Sequence, residues 1–249
     1  MRRWLVCGAL GLAAAMMALP GTVESRAPAA PASTTGATGR TWETIGHSVR
    51  GRPIRALRLG DPNALTSVLV VGCVHGNETT GRAVIARLYG ASPPPGVALW
   101  LIGDTNPDGC RASTRQNAHG VDLNRNFPYR WRRLPHGTYH SGSHALSEPE
   151  SRAIQAFMRR ERPVVSLWYH QHASRVYSYG DGTIARRYAR RVGLRHDFFY
   201  AAPGSITRWQ VHMFPESTGI VVELPAGPIS AAAVRRHAGA VLALAGEQS

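Results

Sequence analysis

Hydrophobic and polar positions run along this chain in two rhythms. Residues 54–59 alternate apolar and basic side chains, the period of a half-buried strand. Residues 67–74 (Ser-Val-Leu-Val-Val-Gly-Cys-Val) form a continuous apolar run, as in a central strand covered on both faces. Residues 97–102, 164–169 and 219–224 read as further buried strands. Between them, residues 78–89 carry helical spacing. Residues 147–161 open with a Ser-x-x-Glu capping box and place Ile154, Phe157 and Met158 on one face. Residues 228–245 form a closing Ala-rich helix. Strands and helices in this alternation predict an α/β fold: a mixed, largely parallel central sheet with helices on both faces, in a single domain. Ligand sites in such folds gather at the carboxyl ends of the strands.

Two stretches stand outside this pattern. Residues 1–26 read as an export signal: Arg2 and Arg3, then an uncharged run of 16 residues from Trp4, broken by Pro20 and Gly21. The run is short for a membrane span and suits a signal core, the alternative being an uncleaved anchor. Residues 27–39 are small, Pro and Thr residues, a flexible linker. Residues 40–249 are then the folded domain, expected outside the cytoplasm, secreted or in the periplasm or wall. Cys73 and Cys110 remain after export; they either pair, as an oxidising compartment allows, or stay as two buried thiols.

Charge changes the picture further. All 29 basic residues are arginine, against 15 acids, for a net charge of +14. Coding bias accounts for part of this, yet such a surface attracts polyanions, including acidic cell-wall polymers. The arginines are scattered, often in pairs such as Arg132-Arg133 and Arg190-Arg191, without one basic face interleaved with aromatics. That pattern argues against a specific nucleic-acid partner. A monomer without membrane association after signal removal is expected.

Four groups of residues carry chemistry. His75-Gly-Asn-Glu78 follows the apolar strand directly, so an imidazole and a carboxylate can converge on one metal ion at the strand end. A catalytic zinc needs a third protein ligand from another strand end, and the strand at 164–169 runs into His170-Gln171-His172. Regular alternation points both histidines the same way, so periodicity leaves the choice open. Residues 115–128 hold Arg115, Asn124 and Arg125 in a loop; guanidinium grips a carboxylate with two parallel hydrogen bonds, although Asp122 could equally tie an arginine down. Finally, Glu223 stands inside an apolar strand and needs either a salt-bridge partner or a function.

His75-Gly-Asn-Glu78, Asn-Pro-Asp-Gly109, Thr114 through Pro128 with Asp-Leu-Asn-Arg-Asn-Phe-Pro, Ser-Glu-Pro-Glu-Ser151, a strand ending in His, and Val-Val-Glu-Leu-Pro-Ala-Gly227 come in one order. Over residues 40–249 this resembles the zinc carboxypeptidases of the M14 type, in particular the small bacterial branch that includes murein-peptide amidases. The resemblance implies one zinc per chain on His75, Glu78 and His170, the last favoured because the family's ligand directly follows its strand. It implies that Arg115 polarises the scissile carbonyl and that Asn124 and Arg125 hold a free carboxylate. Tyr200 would be a mobile substrate-binding tyrosine, and the pocket for the leaving side chain would lie near Ile206 and Thr207. Glu223 would be the general base for metal-activated water. The implied reaction is hydrolysis of a peptide or amide bond beside a free carboxylate, in a peptide or murein-peptide substrate. Rival expectations are a deacylase of small N-acyl amino acids and a non-catalytic wall-binding module on the same fold.

Overall fold

The computed structural model describes residues 39–198 and 202–248. The expected export signal, the linker up to residue 38 and Tyr200 lie outside the described residues. Gly39, assigned to the linker, instead opens a strand, β1 (Gly39–His47).

A seven-stranded sheet forms the centre. β1 pairs antiparallel with β2 (Pro53–Gly60), and β2 pairs antiparallel with β4 (Val97–Ile102). β3 (Thr66–Val71) lies parallel to β4 on one side and to β5 (Val165–Tyr179) on the other. β6 (Arg195–Asp197) and β7 (Thr218–Pro225) complete the sheet against β5.

Alternation along the strands feeds two cores, one on each face. Val68 and Val70 of β3 face the core that also takes Val84, Ile85 and Leu88 of α1 (Gly81–Leu88). Tyr188 of α4 (Gly182–Val192) and Val241 of α6 (Ala231–Gly246) pack there too. Leu69 and Val71 face the opposite core, closed by Ile154, Phe157 and Met158 of α3 (Pro149–Glu161) and by Trp209 of α5 (Ile206–Met213). The expected helices on both faces of a mixed sheet are therefore present.

Three local expectations need correction. Ser147 does not cap α3. Pro149 occupies the first helical position, where its missing N–H costs nothing, so Glu148 becomes the residue before the helix. The Ser147 hydroxyl instead donates to Glu148 Oε1 at 2.6 Å. Next, β3 ends at Val71 and α1 starts only at Gly81, so His75 and Glu78 sit on the connecting turn. A side chain at Gly81 would meet Tyr169 Cβ at 2.3 Å, which explains how closely α1 approaches the sheet.

The third correction concerns β5, expected to stop near Tyr169. Residues 165–172 ascend in register against residues 218–225 of β7. His172 and Ala173 both oppose Pro225, a bulge, and residues 175–179 then meet β7 in descending order from Glu223 to Gly219. β5 thus wraps the end of β7, placing His170 beside Glu223 on one side and Arg175 on the other.

Candidate active site and metal centre

The carboxyl ends of β3, β5 and β7 open into a cavity of about 590 Å³. The turn after β3 lines it through His75, Asn77 and Glu78. Glu78 N–H donates to the His75 carbonyl at 2.9 Å, closing that turn so both side chains face β5. Gly76 lets the turn pass against α2 (Pro107–Ala112): a Cβ there would lie 1.9 Å from the Gly109 carbonyl carbon. A disulfide between Cys73 and Cys110 fastens the same two segments, which settles the open question of the two thiols.

His75 Nδ1 and His170 Nδ1 each lie 2.9 Å from Glu78 Oε2 and 3.1 Å from each other. All three residues are buried. His172 is exposed at the cavity rim, so the structure separates two histidines that strand periodicity left equivalent. On the far side of the His75 ring, Nε2 lies 3.0 Å from Asp122 Oδ1. That pairing selects the tautomer with its proton on Nε2, leaving a lone pair on Nδ1. Two imidazole nitrogens and a carboxylate oxygen, all within 4.8 Å of one another, then face a common point. Such a donor set suits a cation, and zinc in particular, with one side left open to the cavity.

Arg115 completes the frame. Its Nη1 donates to Glu78 Oε1 at 2.8 Å and its Nε to Asp122 Oδ2 at 3.0 Å. Burial works against the ionised form of Asp122, but His75, Arg115 and Arg125 outweigh it and hold the carboxyl well below its usual range. The same contest, won by His170 and His75, keeps Glu78 ionised. Asp122 also accepts from Asn124 N–H at 2.9 Å, starting the short 3-10 turn Leu123–Arg125. Behind this loop, Asn117 Nδ2 donates to Glu148 at 2.7 Å and Glu150 at 3.0 Å, which is the structural work of the Ser-Glu-Pro-Glu stretch.

Asn124 Oδ1 accepts from Ile206 N–H at 3.0 Å, joining the loop to the start of α5. Arg125 donates to the Asn124 carbonyl at 2.8 Å and forms no salt bridge among the described residues. Burial presses its guanidinium below the usual arginine value, so it is a desolvated cation facing the cavity without an anion. Glu223 lines the cavity half-buried and likewise has no salt-bridge partner, contrary to the alternative of a pairing with arginine. Below it on the same face of β7 are Val221 and Gly219, where a Cβ would come within 3.0 Å of Thr207 Cβ. Tyr177 stands opposite Val221, and Tyr177, Tyr179 and Thr207 all line the cavity.

Two residues of the site escape a sequence reading. Asp122 seemed a simple tie for an arginine; its position between Val121 and Leu123, both buried, was the available sign that it needed strong partners. Tyr139, exposed at the cavity mouth, gave no sign at all.

The sequence profile of the zinc carboxypeptidase family matches residues 39–90 and 96–186. A murein peptide amidase of Vibrio campbellii is 28% identical over 223 residues, covering 82% of this chain and 87% of its own length. A carboxypeptidase of Arabidopsis thaliana is 30% identical over 180 residues, covering 66% of this chain; that match spans only 34% of the plant protein. The crystal structure of a murein-tripeptide amidase from Escherichia coli O157 superposes with a TM-score of 0.69 at 24% identity, covering 87% of this chain and 96% of that one, so the fold is shared. On this match the chain belongs to the zinc carboxypeptidase family and is a zinc-dependent peptidase or amidase.

Proposed function

We propose that this enzyme hydrolyses the amide bond that joins a residue with a free carboxylate to the rest of a peptide or murein peptide, outside the cytoplasm. One observation carries the reading: Arg125 is a half-buried cation with no carboxylate partner among the described residues, in the same cavity as Glu223 and the His75–Glu78–His170 cluster. Arg125 and the Asn124 amide would receive the substrate carboxylate, by the bidentate geometry guanidinium favours. That grip sets the adjacent amide between Arg115 and Glu223.

His75, Glu78 and His170 would hold the zinc, which supplies a Lewis acid that acidifies water and polarises a carbonyl. Asp122 keeps His75 in the ligating tautomer. Glu223 would take the proton of the attacking water and deliver it to the leaving nitrogen. Arg115, held by Glu78 and Asp122, presents its charge where negative charge develops on the carbonyl oxygen.

The slot below Glu223 would take the leaving side chain. Of the described residues lining the cavity, only Glu78 and Glu223 carry carboxylates, and both have other roles. A neutral or hydroxyl-bearing side chain therefore fits better than a cationic one. The basic, apolar amino terminus and the Cys73–Cys110 disulfide support export, and the charge of +14 supports association with acidic wall polymers.

The decisive experiment digests defined peptides, their carboxamides, muropeptides and N-acyl amino acids with the purified enzyme and identifies products by mass spectrometry. Release of single residues or stem-peptide fragments bearing a free carboxylate is expected. Cleavage confined to N-acyl amino acids, with peptides and muropeptides untouched, would overturn the reading.

A further inference from the structure

Tyr139 is a large aromatic residue left 55% exposed at the mouth of the cavity. The Arg115 guanidinium carbon lies over its ring at 5.1 Å from the centroid, and that of Arg125 at 5.2 Å. These are the two cations the site directs at its substrate. Their other anchors differ. Arg115 is bound by two carboxylates, whereas Arg125 donates, among the described residues, one hydrogen bond, to a backbone carbonyl.

The loop under Tyr139 is fastened on both sides. Gln116 Nε2 donates to the carbonyls of Gly137 at 3.1 Å and Thr138 at 3.0 Å. The Asp122 N–H donates to the His140 carbonyl at 2.8 Å. Gln116 and Asp122 both belong to the segment that carries the two arginines, so the ring is fixed relative to both. Two like charges so close repel, and an aromatic face attracts each of them.

We propose that Tyr139 is a positioning residue: its ring, shared by both guanidinium groups, holds Arg125 in the orientation that receives the substrate carboxylate and keeps it spaced from Arg115. This rests on the reading of Arg125 as the carboxylate site. Tyr139 acts through the arginine and needs no contact with the reacting atoms, so its aromatic face matters and its hydroxyl does not.

The test compares a free-acid peptide with its carboxamide for wild type, Tyr139→Leu and Tyr139→Phe, with Tm recorded for each. Tyr139→Leu should lower kcat/KM for the free acid roughly three- to tenfold, mostly through KM, and the carboxamide much less. Tyr139→Phe should restore the preference for free acid. A leucine variant with the full preference overturns the proposal, as does an equal loss on both substrates with a lowered Tm. Should the leucine variant fail to fold, a ring-fluorinated phenylalanine at this position keeps the shape and weakens the π-face, and the same comparison applies. A wild type without any preference for the free acid overturns the carboxylate reading itself, and with it the role given to Tyr139.

Discussion

Arg125 and Asp122 share one short turn, yet they do not pair: the Asp122 carboxylate is taken by His75 and Arg115. Arg125 is therefore left for an external anion. Arg125→Ala should lower kcat/KM on a free-acid peptide by about ten- to a hundredfold, the range of a lost charged hydrogen bond, through a higher KM and a lower kcat. The variant should barely distinguish free acid from carboxamide in steady-state kinetics. An unchanged preference would remove Arg125 from the site.

The convergence of His75, Glu78 and His170 makes metal content the readout for the ligands. His75→Ala and His170→Ala should each purify with little zinc, since two remaining ligands hold it poorly. His172→Ala should keep one zinc per chain, because that side chain is exposed on the rim. Full zinc in His170→Ala, measured by atomic absorption, would show the assignment to be wrong.

Glu223 lines the cavity without an ionic partner among the described residues, which leaves its carboxylate for proton transfer. Glu223→Gln should retain zinc and Tm while turnover drops by roughly a hundred- to ten-thousand-fold, the usual worth of general-base catalysis. Near-normal turnover in a zinc-loaded variant would refute the mechanism.

Acid stability should report on a different part of the molecule. His237 of α6 is buried with its Nδ1 2.8 Å from the Tyr188 hydroxyl, and burial pushes the imidazole down to about 4. Above pH 6.5 the residue is neutral whether folded or unfolded and contributes nothing to pH dependence. As pH falls from 6.5 towards 4, the unfolded chain takes up a proton that the folded one refuses, so stability declines, by about 3 kcal/mol in all. Tm measured from pH 7 to pH 4 should therefore fall less steeply in His237→Phe than in wild type. Parallel curves would exclude His237 as a source of acid sensitivity.

The Cys73–Cys110 bridge links positions 37 residues apart and joins the end of β3 to α2. Closing a loop of that length constrains the unfolded chain by about 3–4 kcal/mol. Replacing both cysteines by serine should lower Tm by several degrees, and thiol titration of denatured, unreduced wild type should find neither cysteine free. Two reactive thiols would contradict the bridge.

The cores of most strands, the helices α3 and α6, the two-sided sheet and the candidacy of His75, Glu78 and Glu223 were legible in the chain itself. Apolar periodicity is a local property, and a carboxylate inside a strand such as residues 218–225 advertises itself wherever it ends up. Periodicity left His170 and His172 equivalent, and only the resemblance favoured His170; tertiary structure separates them, with His170 Nδ1 2.9 Å from Glu78 Oε2 and His172 exposed at the rim. It also decided that Asp122 serves His75 and Arg115, and that Arg125 is left open. Residues 75, 122 and 170 are brought within hydrogen-bonding reach of their partners by strand register and loop closure. Tyr139 shows the limit most plainly. Its position over two arginines follows from the hydrogen bonds of Gln116 and Asp122 to its loop, long-range contacts between polar groups that leave no periodic trace in the sequence.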